Sequence, residues 1–129
     1  MYKRLAILFR ALIVATCVGS PHITRADVVL MMAEEPGCIW CARWNDEVGH
    51  IYPKTGEGRA APLRRVDISQ PLPDDIALAR RVNFTPTFIL LDDGSELGRL
   101  EGYPGDDFFW GLLGQLMDQH GVAYDKPEG

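Results

Sequence analysis

The chain has 129 residues, with 13 Lys+Arg against 18 Asp+Glu, a net charge of −5, 47% hydrophobic residues and three cysteines. An acidic balance without a basic stripe argues against nucleic acid as a partner, and the length suits one domain with a single modest core. No repeat or low-complexity stretch interrupts it.

Residues 1–26, MYKRLAILFRALIVATCVGSPHITRA, hold Lys3, Arg4 and Arg10, no acid, an apolar run from Ala11 to Gly19, and a polar tail ending at Ala26. This is the pattern of a secretory signal peptide cleaved near Ala26. The apolar run is about half of the roughly 20 residues that a spanning helix needs. Thr16 disfavours a lipoprotein reading through Cys17. Cleavage leaves residues 27–129 as the exported domain, with nine bases against the 18 acids. It also leaves Cys38 and Cys41 as a pair in an oxidising compartment.

Val28–Met32, VVLMM, is a continuous apolar run of strand length, as expected for a central strand buried on both faces. The breaker-rich AEEPG follows. From Cys38 onward, Cys41, Trp44, Val48 and Tyr52 recur at spacings of three and four, which predicts an amphipathic helix closed by Pro53. KTGEGRAAP reads as a loop. LRRVDIS, 63–69, predicts a short strand, and DDIALARRV, 74–82, a short helix capped by Asp74 or Asp75. Thr87–Leu91 and Glu96–Gly102 are strand candidates joined by Asp93-Gly94, a favoured hairpin turn. The last segment puts Phe109, Leu112, Leu113, Leu116, Met117 and His120 on one stripe of a helix, with Asp106 as cap and Gly121 as stop. The expected order is β-α-β-α-β-β-α: an α/β fold with a mixed central sheet flanked by helices.

The stretch GCIWCARW admits three readings: half of a metal site, a structural staple, or a dithiol that makes and breaks a disulfide. A staple across so short a loop gains little. A structural zinc site needs four ligands and the motif supplies two; His50 lies too far along the helix to join them, and His120 reads as a core or capping residue. The helix start favours a thiolate at Cys38, because free N–H groups and the dipole stabilise negative charge. Cys41, a turn further in and on the buried stripe, should be less reactive. That asymmetry suits exchange, with Cys38 attacking a substrate disulfide and Cys41 resolving the mixed disulfide. Trp40 reads as an exposed docking residue and Trp44 as core. At least one of Phe108, Phe109 and Trp110 should be exposed. The doublets Arg64-Arg65 and Arg80-Arg81 read as solvated.

A C-x-x-C at a strand-to-helix junction, an aromatic-rich first helix, and Thr85-Pro86-Thr87 opening a later strand resemble the thioredoxin fold over nearly the whole exported chain. PGCIWC, VDI at 66–68, FTPTFIL at 84–90 and GRLEGYPGDDFFWGLL at 98–113 are most similar to the SoxS-type periplasmic thioredoxins of the bacterial sulfur-oxidation system. The resemblance implies a cis Pro86 beside the dithiol, with Thr85, Pro86, Ile39 and Trp40 shaping the substrate surface. It implies a periplasmic reductase that needs no cofactor and frees the sulfur-carrier protein SoxYZ from inactivating disulfides. Its electrons would come from a membrane thiol transporter of the DsbD or CcdA kind. Two departures stand out: ordinary thioredoxins carry Trp before the first cysteine and Gly-Pro between the two, where this chain has Gly37 and Ile39-Trp40. They also bury an acid six residues before the first cysteine, where this chain has Met32; Glu34 and Glu35 read as solvated loop residues. The alternatives are a general periplasmic disulfide oxidant or isomerase, and a soft-metal chaperone using the dithiol as ligand.

Overall fold

The computed structural model describes residues 27–127; the signal-peptide expectation and Cys17 lie outside the described residues. Four strands form one sheet: β1 (Val28–Glu34), β2 (Leu63–Asp67), β3 (Thr87–Asp92) and β4 (Ser95–Glu101), in the order β2-β1-β3-β4. β1 pairs parallel with β2 and antiparallel with β3, and β3 pairs antiparallel with β4. The mixed sheet follows from a crossover between β1 and β2 and the tight hairpin between β3 and β4. At that hairpin Asp93 and Gly94 both take positive φ, 49° and 80°, the geometry for which Asp-Gly is preferred.

Side chains alternate across the two central strands with period two. Leu30 and Met32 of β1 and Phe88 and Leu90 of β3 face one core, which includes Cys41, Trp44, Phe109 and Leu113. Met31 and Ala33, with Ile89 and Leu91, face a second, smaller core with Val66 and Ile76. A strand that must bury both faces has no polar positions to spare, which explains the uninterrupted VVLMM run.

The first core is covered by α1 (Ile39–Trp44) and α3 (Asp106–Gln119). After Trp44 the helix loosens into a π segment, Asn45–Gly49, and a 3₁₀ turn, Tyr52–Lys54, that carries Pro53 in its first turn. The expected stripe survives this change of winding, since Cys41, Trp44, Val48 and Tyr52 are all buried. Trp44 is its centre, with ring centroids 5.2 Å from Phe88, 5.8 Å from Phe109 and 6.1 Å from Tyr52. In α3 the cap position belongs to Gly105 rather than Asp106, which is the first helical residue. His120 sits exposed at the C-cap and Leu112 is 39% exposed, so the buried face is narrower than the stripe suggested. Phe109 is buried and Phe108 exposed.

Two segments take a different secondary structure from the one expected. KTGEGRAAP contains a helix, α2 (Gly56–Ala60): Thr55 caps it, its hydroxyl accepting from the Gly58 N–H at 3.0 Å and donating to the Tyr52 carbonyl at 2.8 Å. The glycines hid that signal, yet Gly58 is required there, because a Cβ would stand 1.8 Å from the Tyr52 carbonyl oxygen. Conversely, 74–82 forms no helix. Ala77 bridges to Ser95, its N–H bonding the Gly94 carbonyl at 2.9 Å and its carbonyl accepting from Glu96 N–H at 3.0 Å. Ala79 N–H donates to the Glu96 carboxylate at 2.7 Å, and Arg99 donates to the carbonyls of Arg80 and Arg81. Partners on β4 and the turn before it thus satisfy the backbone that a helix would otherwise have paired, and tertiary context overrides a modest local propensity. The observed order is therefore β-α-α-β-β-β-α, with the second helix before β2 rather than after it. The extended segment lays Ile76, Leu78 and Val82 over the second core in place of a helix.

Candidate active site

β1 ends at Glu34, and the turn Glu35-Pro36-Gly37 delivers Cys38 to the start of α1. Cys38 is the N-cap: its sulfur accepts a hydrogen bond from the Cys41 N–H at 3.1 Å and is disulfide-bonded to Cys41. Its position gives that sulfur an orphan N–H donor, the arrangement that stabilises a thiolate. Cys38 is half-buried, whereas Cys41 is 4% exposed and faces the core with Trp44. Met32 lies fully buried in that same core, so its place is apolar.

Thr85-Pro86 is a cis peptide. The register that sets Thr87 against Ala33 places it at the end of the sheet where the dithiol loop leaves β1. Pro86 is buried, and its carbonyl accepts from Gly102 N–H at 2.8 Å. Thr85 donates its hydroxyl to Glu35 at 2.8 Å. Among the described residues, no hydrogen bond occupies the backbone N–H or C=O of Thr85. Glu35 is therefore exposed but engaged, and Glu34, the last residue of β1 rather than a loop residue, pairs with Arg65 at 2.8 Å.

A cavity of about 450 Å³ opens beside this edge, lined by Trp40, Phe84, Thr85, Glu101, Gly102 and Tyr103. Of the expected surface residues, Trp40 and Thr85 share its walls; Ile39, 73% exposed, and Pro86 do not. Trp40 is 48% exposed and Phe84 61%, two unsatisfied apolar faces at one opening. Phe84, Gly102 and Tyr103 were missed as site residues. Phe84 immediately precedes Thr85-Pro86 and Tyr103 follows β4, and only the sheet brings the two chain segments together.

One polar network joins the two sides of this opening. The Tyr103 hydroxyl donates to Glu47 Oε2 at 2.6 Å, and Arg43 Nε donates to Glu47 Oε1 at 2.8 Å. The Arg43 guanidinium lies 5.7 Å from the Trp40 ring centroid, within cation–π range. The Tyr103 hydrogen bond first, then that of Arg43, hold the Glu47 carboxyl below its ordinary range. Burial, then Glu47, push the Tyr103 phenol up. Arg64 and Arg65 are not simply solvated: Arg64 makes a two-pronged pair with Asp75, and Arg65 lies over the Trp44 ring. Among the described residues no three His, Cys, Asp or Glu side chains converge as metal ligands.

A thioredoxin-like fold that presents a C-x-x-C disulfide at a helix N-terminus, with a cis-proline at the same sheet edge, defines a thiol-disulfide oxidoreductase acting on protein substrates. No family model matches the chain, and no curated protein does. Among solved structures the chain is similar to the periplasmic thioredoxin SoxS from Paracoccus pantotrophus, crystallised in its reduced form. The identity is 54% and the TM-score 0.70, over 72% of this chain and 98% of that one. The chain belongs to the SoxS family of periplasmic thioredoxins.

Proposed function

We propose that this protein is an exported, periplasmic reductase that opens disulfides on the sulfur-carrier protein SoxYZ, with Cys38 as nucleophile and Cys41 as resolving thiol. In the reduced protein the Cys38 thiolate attacks one sulfur of the substrate disulfide, and the departing sulfur leaves as a thiolate that takes up a proton. The Cys41 thiolate then attacks Cys38 in the mixed disulfide, releasing the second substrate thiol and closing Cys38–Cys41. Two electrons have passed to the substrate. A membrane dithiol transporter of the DsbD or CcdA kind returns them by the same exchange in reverse.

The observation that carries this reading is the 54% identity to a periplasmic SoxS over nearly all of that chain. The contrast between half-buried Cys38 and buried Cys41 supports the division of roles. The unoccupied backbone of Thr85 beside an opening walled by Trp40 suits an extended substrate strand docked at Thr85-Pro86, with Ile39 and Trp40 as flanking apolar contacts. Residues 1–26 serve as the leader.

The test is a trap. Cys41→Ser, expressed with its leader in the native host, should accumulate a mixed disulfide between Cys38 and the sulfur carrier. Recovery of many unrelated exported proteins would instead assign the chain to general oxidative folding and overturn the reductase reading.

A further inference from the structure

A second cavity, of about 490 Å³, lies between α2, the start of α3 and the C-terminal tail, and shares no lining residue with the opening beside the dithiol. Its size falls in the range of small-molecule sites, about 300–1,000 Å³. Glu57, on α2, is 7% exposed and lines it. Among the described residues its carboxylate makes no hydrogen bond or ion pair, although buried carboxylates are ordinarily paired.

Nor is that carboxylate sealed inside the protein. The one enclosed and unpartnered side-chain polar atom among the described residues is the Trp44 indole nitrogen. The small surface that Glu57 retains therefore includes its oxygens, and Glu57 is part of the cavity's lining. Both bases in the wall are already engaged: Arg59 with the Lys54 carbonyl at 2.7 Å and Asp125 at 3.3 Å, and Lys126 with Asp118 at 2.9 Å. Of the nearby hydroxyls, Tyr52 is committed to the Ala61 carbonyl at 2.6 Å and Thr55 to the Tyr52 carbonyl at 2.8 Å, while the Tyr124 phenol, which burial first and the Asp118 and Glu57 charges push up, makes no hydrogen bond to Glu57 among the described residues. Ile51 and Trp110 supply apolar wall, and Trp110 is held in place by stacking on Tyr52 at 6.0 Å with the planes 12° apart.

We propose that the cavity floored by Glu57 is a second binding site, which takes a small organic cation carrying an aromatic or apolar group. The ammonium or guanidinium donates to the Glu57 carboxylate, and the apolar part lies against Trp110 and Ile51. No electron or proton transfer is involved, and the site stands independently of the exchange chemistry.

Phenethylamine is a suitable probe, titrated into the purified protein at pH 7 and followed by NMR at the Trp110 indole N–H and the Gly56 and Gly58 amides. The expected result is a saturable shift at those three groups. Loss of a charged hydrogen bond should make binding to Glu57→Gln about ten- to a hundredfold weaker, with disulfide exchange unchanged. A charge series on the unaltered protein gives a second reading free of any folding effect: 2-phenylethanol and 3-phenylpropionate should bind far more weakly than the amine. Absence of saturable shifts, equal binding to Glu57→Gln, or equal binding of the alcohol or the acid would each overturn the assignment.

Discussion

Arg99→Ala should be among the most damaging single changes outside the aromatic core. Arg99 and Glu96, both on β4, form a two-pronged ion pair with both contacts at 2.7 Å and side-chain exposures of only 4% and 5%. The pair also fastens the 77–82 segment, through Ala79 N–H on Glu96 and the Arg80 and Arg81 carbonyls on Arg99 at 2.9 and 3.1 Å. Removing the guanidinium leaves a buried carboxylate without its counter-charge and two carbonyls without donors, a loss of about 3–5 kcal/mol. Against a total stability of about 5–15 kcal/mol, that is a large share. With a urea slope of about 1–3 kcal/mol per molar, the unfolding midpoint should fall by about 2 M. Arg80→Ala is the control, because the Arg80–Glu101 pair is solvated, at 59% and 35% exposure, and its loss should cost less than about 1 kcal/mol.

The pair also has a pH signature. The Arg99 hydrogen bond holds the Glu96 carboxyl below its ordinary range. Its stabilisation is therefore present above the unfolded carboxyl pKa of about 4.3 and is lost as pH falls through the depressed folded value. In Arg99→Ala the buried carboxyl favours protonation instead, so acid relieves the variant. The stability gap between the two proteins should narrow between pH 7 and pH 3. A loss under about 1 kcal/mol at pH 7, or a gap indifferent to pH, would refute the argument that this pair, rather than local propensity, shapes the segment leading to Phe84.

Phe109→Ala empties the contact shared by Trp44, Phe88 and Tyr103 and should cost about 3–5 kcal/mol in chemical denaturation. Gly58→Ala should prevent normal folding, read as lost near-ultraviolet dichroism, since the new Cβ meets backbone at 1.8 Å and no side-chain movement relieves it. Tyr103→Phe and Glu47→Gln each break the network behind Trp40, and should raise KM for a protein disulfide while leaving the reaction with a small disulfide unchanged. The Glu47 carboxyl is held low, so the effect of Glu47→Gln on KM should be full near neutrality and fade as acid protonates Glu47 in the parent. Equal effects on large and small disulfides would show that the network does not order the docking wall.

What could be read from the residues alone divides along physical lines. The dithiol, its buried and half-buried members, and the strands carrying Met32 and Phe88 rest on local patterns, and period two or spacings of three and four survive even where α1 loosens into a π segment. Segment 74–82 failed because its backbone partners, Glu96 and Arg99, stand far along the chain, and neither side chain advertises that it is buried. Phe84 and Tyr103 escaped for the same reason, since the sheet alone makes them neighbours. The two kinds of residue meet at one edge. Local rules place Cys38, while long-range contacts from the Glu96–Arg99 pair on β4 secure the chain up to Arg81, three residues before the Phe84-Thr85 wall of the opening. Exchange chemistry can therefore reside in a short motif, while the wall beside it is assembled by contacts that no short motif contains.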